Sequence, residues 1–158
     1  MKATKWKSYS LALIAGMSVL TACSSDDNND NGGNGNNGNG NEIENGTTLK
    51  GTITSDVTLT AGSTYKLSGE YIVEDGATLN IEAGVKIISI YDDIVDYILV
   101  KQGGKINAVG TSSAPIVMTS EKEEPGAWGG IHICGKAHTN AEGGKGSSEI
   151  GGATYGGN

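Results

Sequence analysis

Between Leu59 and Ala108 one short pattern recurs. Leu59-Thr-Ala-Gly62-Ser-Thr-Tyr65-Lys-Leu67 is followed by Val73-Glu-Asp-Gly76-Ala-Thr-Leu79-Asn-Ile81, then by Val100-Lys-Gln-Gly103-Gly-Lys-Ile106-Asn-Ala108. Each unit is an apolar residue, two turn residues, a glycine, two small or polar residues and an apolar alternation. Glycine in fourth place admits the positive φ of a sharp corner. The alternation then aims every second side chain the same way. No unit can bury its apolar face alone, so the units must stack. The expected fold is all-β, a right-handed parallel β-helix with Ile, Val and Leu ladders and aligned corner glycines. A β-sandwich of hairpins is the alternative, but the Asn-Gly pairs that mark tight hairpins precede the strands instead of separating them. Ile90–Val100 has adjacent Ile and Val pairs and no cap, so it reads as loop and strand.

The N-terminus reads as an export signal over residues 1–22. Lys2, Lys5 and Lys7 precede the ten-residue apolar run Leu11–Leu20, which is too short to span a bilayer. Leu20-Thr21-Ala22-Cys23 resembles the bacterial lipobox, in which small residues flank the scissile bond and the cysteine sulfur takes the lipid. Cys23 is therefore the expected lipidated first residue of the mature chain. The expected location is the outer membrane, lipid-anchored and surface-exposed, with a periplasm-facing orientation as the alternative. Residues 23–48 form the expected disordered linker: Ser24–Thr48 holds nine Asn, six Gly and one large apolar residue, Ile43. Its opening Ser24-Ser25-Asp26-Asp27 resembles a surface-sorting signal, or is simply the acidic start of a spacer. Residues 49–158 are the expected β-helix coils.

Charge excludes one class of partner. The chain has no Arg and a formal charge of −7, which becomes −10 once the three N-terminal lysines are removed. A nucleic-acid binder needs the opposite sign. Nucleotide binding is not expected either. Gly33–Gly38 spells GxGxxG with no strand before it. Gly130-Ile-His-Ile-Cys-Gly135-Lys136 nearly spells a phosphate loop, but Ala137 replaces the hydroxyl residue and no helix follows.

Three groups are candidates for chemistry, each with a plainer alternative. His132, Cys134 and His138 could ligate zinc, with His132 and Cys134 on one strand face and Ile131 and Ile133 on the other. They read more simply as a solvated pair and a lone thiol. Asp92, Asp93 and Asp96 could hold Ca2+ through clustered carboxylates, or form a solvated acidic loop. Tyr91, Tyr97 and Trp128 could offer flat faces to a sugar ring, although Trp128 reads first as coil packing. No Ser-His-Asp set can be assembled, so no catalytic residue is assigned and no cofactor is expected.

Gly103–Thr111 (GGKINAVGT), Pro115–Ser120 (PIVMTS) and Trp128–Ala137 (WGGIHICGKA) follow one another at distances that resemble the opening coils of pectate-lyase-like right-handed parallel β-helix surface lipoproteins of Gram-negative bacteria. The resemblance covers residues 49–158 and implies the fold more strongly than an activity. Ala127 stands where those sequences tend to carry an acid. They also run for several hundred residues, so this chain is expected to be the N-terminal piece of a longer β-helix. Its Gly-rich tail after Ile133 is expected to form no cap with a buried face. The expected function is a lipid-anchored, non-catalytic module binding glycans or another surface macromolecule. The alternatives are a polysaccharide lyase or hydrolase with its active site beyond residue 158, and a structural spacer.

Overall fold

In the computed structural model, which describes residues 41–157, the alternating segments are short strands. They are β1 (Asn41–Ile43), β2 (Thr48–Ile53), β3 (Val57–Leu59), β4 (Thr64–Val73), β5 (Thr78–Ile81), β6 (Lys86–Ser89), β7 (Tyr97–Val100), β8 (Lys105–Ala108), β9 (Val117–Ser120) and β10 (Gly130–Ile133). Every pairing among these ten is parallel. The first face runs β1-β3-β5-β8. Strand β4 serves two faces: Thr64–Leu67 pairs with β6, and Glu70–Val73 pairs with β7. Strand β2 is divided in the same way, with a register shift between Leu49 and Gly51. The chain thus winds around three faces, and each coil hydrogen-bonds to the next at the usual spacing of about 4.8 Å. This is a parallel β-helix.

Its interior is a set of ladders. Val57, Leu79 and Ile106 are in register along the first face, as are Ile43, Leu59, Ile81 and Ala108. Tyr65, Ile87 and Met118 line the second, and Ile53, Val73, Val100 and Ile133 the third. Residues of the middle coils, including Leu59, Leu67, Leu79 and Val73, are fully buried. Among the described residues β8, β9 and β10 pair on one side only, and Ile131 and Ile133 are 40% and 65% exposed.

Two kinds of corner share one signature. Gly76 (φ 85°) and Gly103 (φ 88°) turn the chain from the third face to the first, with Gly76 N–H donating to Gly103 O at 3.2 Å. Gly62 (φ 69°) instead turns it from the first face to the second, and its stacked equivalent is Gly84 (φ 79°) in Ile81-Glu-Ala-Gly84. An L side chain is strained at such a φ, so glycine recurs there.

Two expectations need correction. Coil structure is already present ahead of Leu49, at Asn41–Ile43, because Ile43 stacks on Leu59 and Asn45 Oδ1 accepts the Thr64 N–H at 2.9 Å. One apolar residue per strand suffices there, and low-complexity composition concealed it. The tail after Ile133 does form a buried face. Strands β11 (Lys145–Ser147) and β12 (Thr154–Gly156) make an antiparallel hairpin. With Ile150, Ala153 and Tyr155 it packs on Ile72, Tyr97 and Leu99 on the outer side of the third face. Cys23 of the lipobox-like segment, the Ser24–Asp27 segment, Gly33–Gly38 and the rest of residues 1–40 lie outside the described residues.

One interior group is polar and unmatched. The Tyr71 hydroxyl is buried with no hydrogen-bond partner among the described residues, and burial pushes its pKa from 10.0 up to about 12. The folded protein therefore holds more protons than the unfolded chain between those values. Stability present below pH 10 is lost as the pH rises towards 12. Tyr71→Phe should abolish that loss, worth about 2 kcal/mol of unfolding free energy. Below that range the variant should match wild type or exceed it by about 1 kcal/mol, since it deletes an unpaired hydroxyl. Urea titrations of both proteins across the alkaline range check this.

Candidate functional site

The first two coils turn from second to third face without a loop, at Gly51 and Gly69. The next two each insert a loop at that corner, residues 90–96 and residues 121–129. Consecutive coils lie one strand spacing apart, so the two insertions stack although some 30 residues separate them. They are tied at both ends. Glu121 Oε2 accepts the Tyr91 N–H at 3.3 Å, while its Oε1 pairs with Lys66 Nζ at 2.9 Å. At the far end Gly129 N–H donates to Asp96 O at 2.8 Å. Hydrogen bonding from Lys66, then from the Tyr91 N–H, pulls the Glu121 pKa down.

Between the tied loops lies a groove of about 360 Å³, walled by residues 91–95 on one side and 126–129 on the other. That is within the range of small-ligand sites. Tyr91, Ile94 and Val95 are 56%, 60% and 58% exposed there, whereas Trp128 is half-buried and packs against the core. Lys122 Nζ sits 4.8 Å from the centroid of the Tyr91 ring and is held by Glu124 at 3.0 Å. Glu124 first, then Tyr91, raises the Lys122 pKa.

The floor of this corner is Asp96, a fully buried carboxylate. Gly69 N–H donates to its Oδ1 at 2.5 Å and Ser89 Oγ–H to its Oδ2 at 2.7 Å. It fixes the end of the first loop and does not face the groove's contents. Asp92 Oδ1 accepts the Ile94 N–H at 2.8 Å, shaping that loop from within. Asp96 and Asp92 thus serve different ends, and among the described residues no three His, Cys, Asp or Glu side chains gather as a metal site.

Of the three aromatic candidates, Tyr91 and Trp128 are brought together. Tyr97 is not available to a sugar: it is buried beneath the hairpin and donates its hydroxyl to Glu70 Oε2 at 2.9 Å. Tyr97 does lie on the outer side of its strand, but the hairpin that covers it was not foreseen. Burial, with Glu70 adding to it, raises the Tyr97 pKa.

The zinc candidates also part. His132 faces outward in register with Leu99, with Nε2 2.9 Å from Gly129 O and Nδ1 3.4 Å from Ser148 Oγ. Its ring meets Tyr97 edge-on at 6.2 Å. Cys134 is a buried free thiol whose pKa burial raises, with Sγ 3.8 Å from Ala153 O. His138 lies in the exposed turn beyond, its ring over Gly144. Residues 130–137 are strand β10 and a following loop, and no helix N-terminus is there to hold a phosphate.

Residues 51–158, over two-thirds of the chain, match the family model described as a pectate-lyase-like β-helix domain. The chain belongs to that family. No curated protein and no solved structure matches it. In this pectate-lyase-like domain two other hollows are more polar. One of about 460 Å³ lies on the first face along Thr58, Asn80 and Asn107, and one of about 390 Å³ lies between the hairpin and Glu74, Lys101 and Gln102. Neither has an aromatic side chain in its wall. The corner groove is smaller but offers both a flat ring surface and hydrogen-bonding carboxylates. Sequence reading missed Ile94 and Val95, although an apolar pair inside an acidic loop was a visible sign of a surface with a purpose.

Proposed function

We propose that the chain is a cell-surface lipoprotein, anchored in the outer membrane through Cys23, whose β-helix binds glycans at the corner groove without catalysis. The observation that carries this reading is the pairing of Tyr91 and Trp128 across two tied loops. Stacking of sugar rings needs flat apolar faces at low entropic cost. A groove whose walls are already fixed by Glu121 and Gly129 loses little freedom on binding. The binding reading over catalysis is supported by the chemistry of the groove. Its acids are Asp92 and Asp93, neighbours in one loop, and a glycosidase needs two carboxyls on opposite sides of the scissile bond.

Membrane fractionation and affinity electrophoresis of the full-length protein test both halves. Cys23→Ser should move the protein from the membrane fraction to the soluble one, because a lipid anchor holds by its buried methylenes. Wild type should be retarded in gels containing at least one soluble polysaccharide. Trp128→Ala and Tyr91→Ala should run unretarded, while Glu149→Gln, in the hairpin and outside the groove lining, should behave as wild type. A wild type that no polysaccharide retards contradicts the binding reading.

A further inference from the structure

The charge lining the groove points to the kind of saccharide it takes. Asp92 and Asp93 stand in one wall, and no lining residue is basic. Asp92 gives one oxygen to the Ile94 N–H. Among the described residues no hydrogen bond or ion pair engages Asp93, which is exposed. The nearby lysines are already matched, Lys66 by Glu121 and Lys122 by Glu124. Nothing in the groove therefore offsets a ligand carboxylate. The Tyr91 ring, moreover, already has an ammonium group over one face at 4.8 Å. An aromatic face and a free carboxylate side by side are the two features that hold a protonated amine.

We propose that the corner groove selects saccharides bearing free, protonated amino groups, and rejects uronates. This rests on the saccharide-binding reading above. The formal charge of −7 acts in the same sense at longer range, attracting polycationic chains and repelling polyuronates. A basic peptide fits the charge less well as occupant. Extended peptides gain affinity by adding to a sheet edge, and both groove walls are loops with no strand in them. The proposed preference is also opposite to what the family's descriptive name suggests, so it can be separated cleanly from fold analogy.

The test is a calorimetric titration of the full-length protein in uncharged detergent with three β-1,4-linked oligosaccharides of equal length. One carries free amines, one the same amines N-acetylated, and one is an oligouronate. The amine form should bind roughly tenfold tighter than the acetylated form. The oligouronate should not bind, and added salt should narrow the gap. Asp93→Asn should reduce the preference about threefold, as expected for an exposed charge pair, while Glu149→Gln leaves it unchanged. A simple diamine should compete only weakly, because it lacks the ring to stack. Equal or weaker binding of the amine form overturns this inference and leaves the saccharide reading standing. Equal competition by the diamine overturns the stacking part of it. If none of the three oligosaccharides binds, both fail.

Discussion

Leu79→Ala should lower the unfolding free energy by about 3–4 kcal/mol, the largest effect expected from a single substitution in this chain. Leu79 is fully buried in strand β5, between Val57 on one coil and Ile106 on the next. A β-helix has no second layer that could collapse into the space. Each coil contacts only its neighbours, so a cavity in a middle coil weakens the coupling on both sides. Asn80→Ala is the matched comparison. Asn80 lies one residue further on, facing outward, and its link to Asn107 is long at 3.5 Å. It should cost under about 0.5 kcal/mol. Urea denaturation of the two variants checks the alternation itself, because a helix or a shifted register would not separate adjacent residues in this way.

Asp96→Ala should cost about 2–4 kcal/mol by a different mechanism. The substitution removes no large apolar volume. It leaves the Gly69 N–H and the Ser89 hydroxyl without the acceptors they have at 2.5 and 2.7 Å, at a site with almost no access to water. Asp96→Asn keeps one acceptor oxygen, and Ser89 can accept from the new amide, so it should recover more than half of the loss. The two substitutions also separate structure from binding. The residues 90–96 loop is anchored at its end by Asp96, so Asp96→Ala should weaken saccharide retention as well as stability. Asp93→Asn should alter ligand preference with no change in melting temperature.

The ladder architecture was legible because it depends on local chemistry repeated in sequence. Gly62, Gly76 and Gly103 stand out by spacing, and the positive φ at each is what glycine alone adopts without strain. The sequence did not disclose that Gly62 and Gly76 turn different corners. Leu59-Thr-Ala-Gly62 stacks on Ile81-Glu-Ala-Gly84, and Val73-Glu-Asp-Gly76 stacks on Val100-Lys-Gln-Gly103. Both corners demand the same backbone, so they use the same residues, and only pairing distinguishes them. The coil structure ahead of Leu49 was hidden for a related reason. Asn41–Ile43 contributes one inward apolar side chain, too little for a periodicity to register.

The groove was only half legible. Tyr91, Trp128 and the aspartates were evident as residue types. Their meeting depends on two insertions falling at the same corner of consecutive coils, which is a property of stacking register. The tail misled in the opposite sense. Seven glycines after Asn140 lie at positive φ or against a neighbour: a Cβ at Gly151 would lie 2.8 Å from Leu99, and one at Gly146 would overlap the Tyr155 ring. Those glycines read as a tail with no buried face but permit the close approach by which the hairpin buries Tyr97 and Leu99. Composition cannot tell a glycine that loosens a chain from one that lets it pack.

Hydrogen exchange read by mass spectrometry, with and without the saccharide that best retards the full-length protein, is the most direct test of the central claim. Bound ligand should slow exchange in residues 91–95 and in residues 126–129 together, with little change along Thr58, Asn80 and Asn107 on the first face. Protection of the first face instead, or of one loop without the other, would contradict a binding groove assembled by stacked insertions.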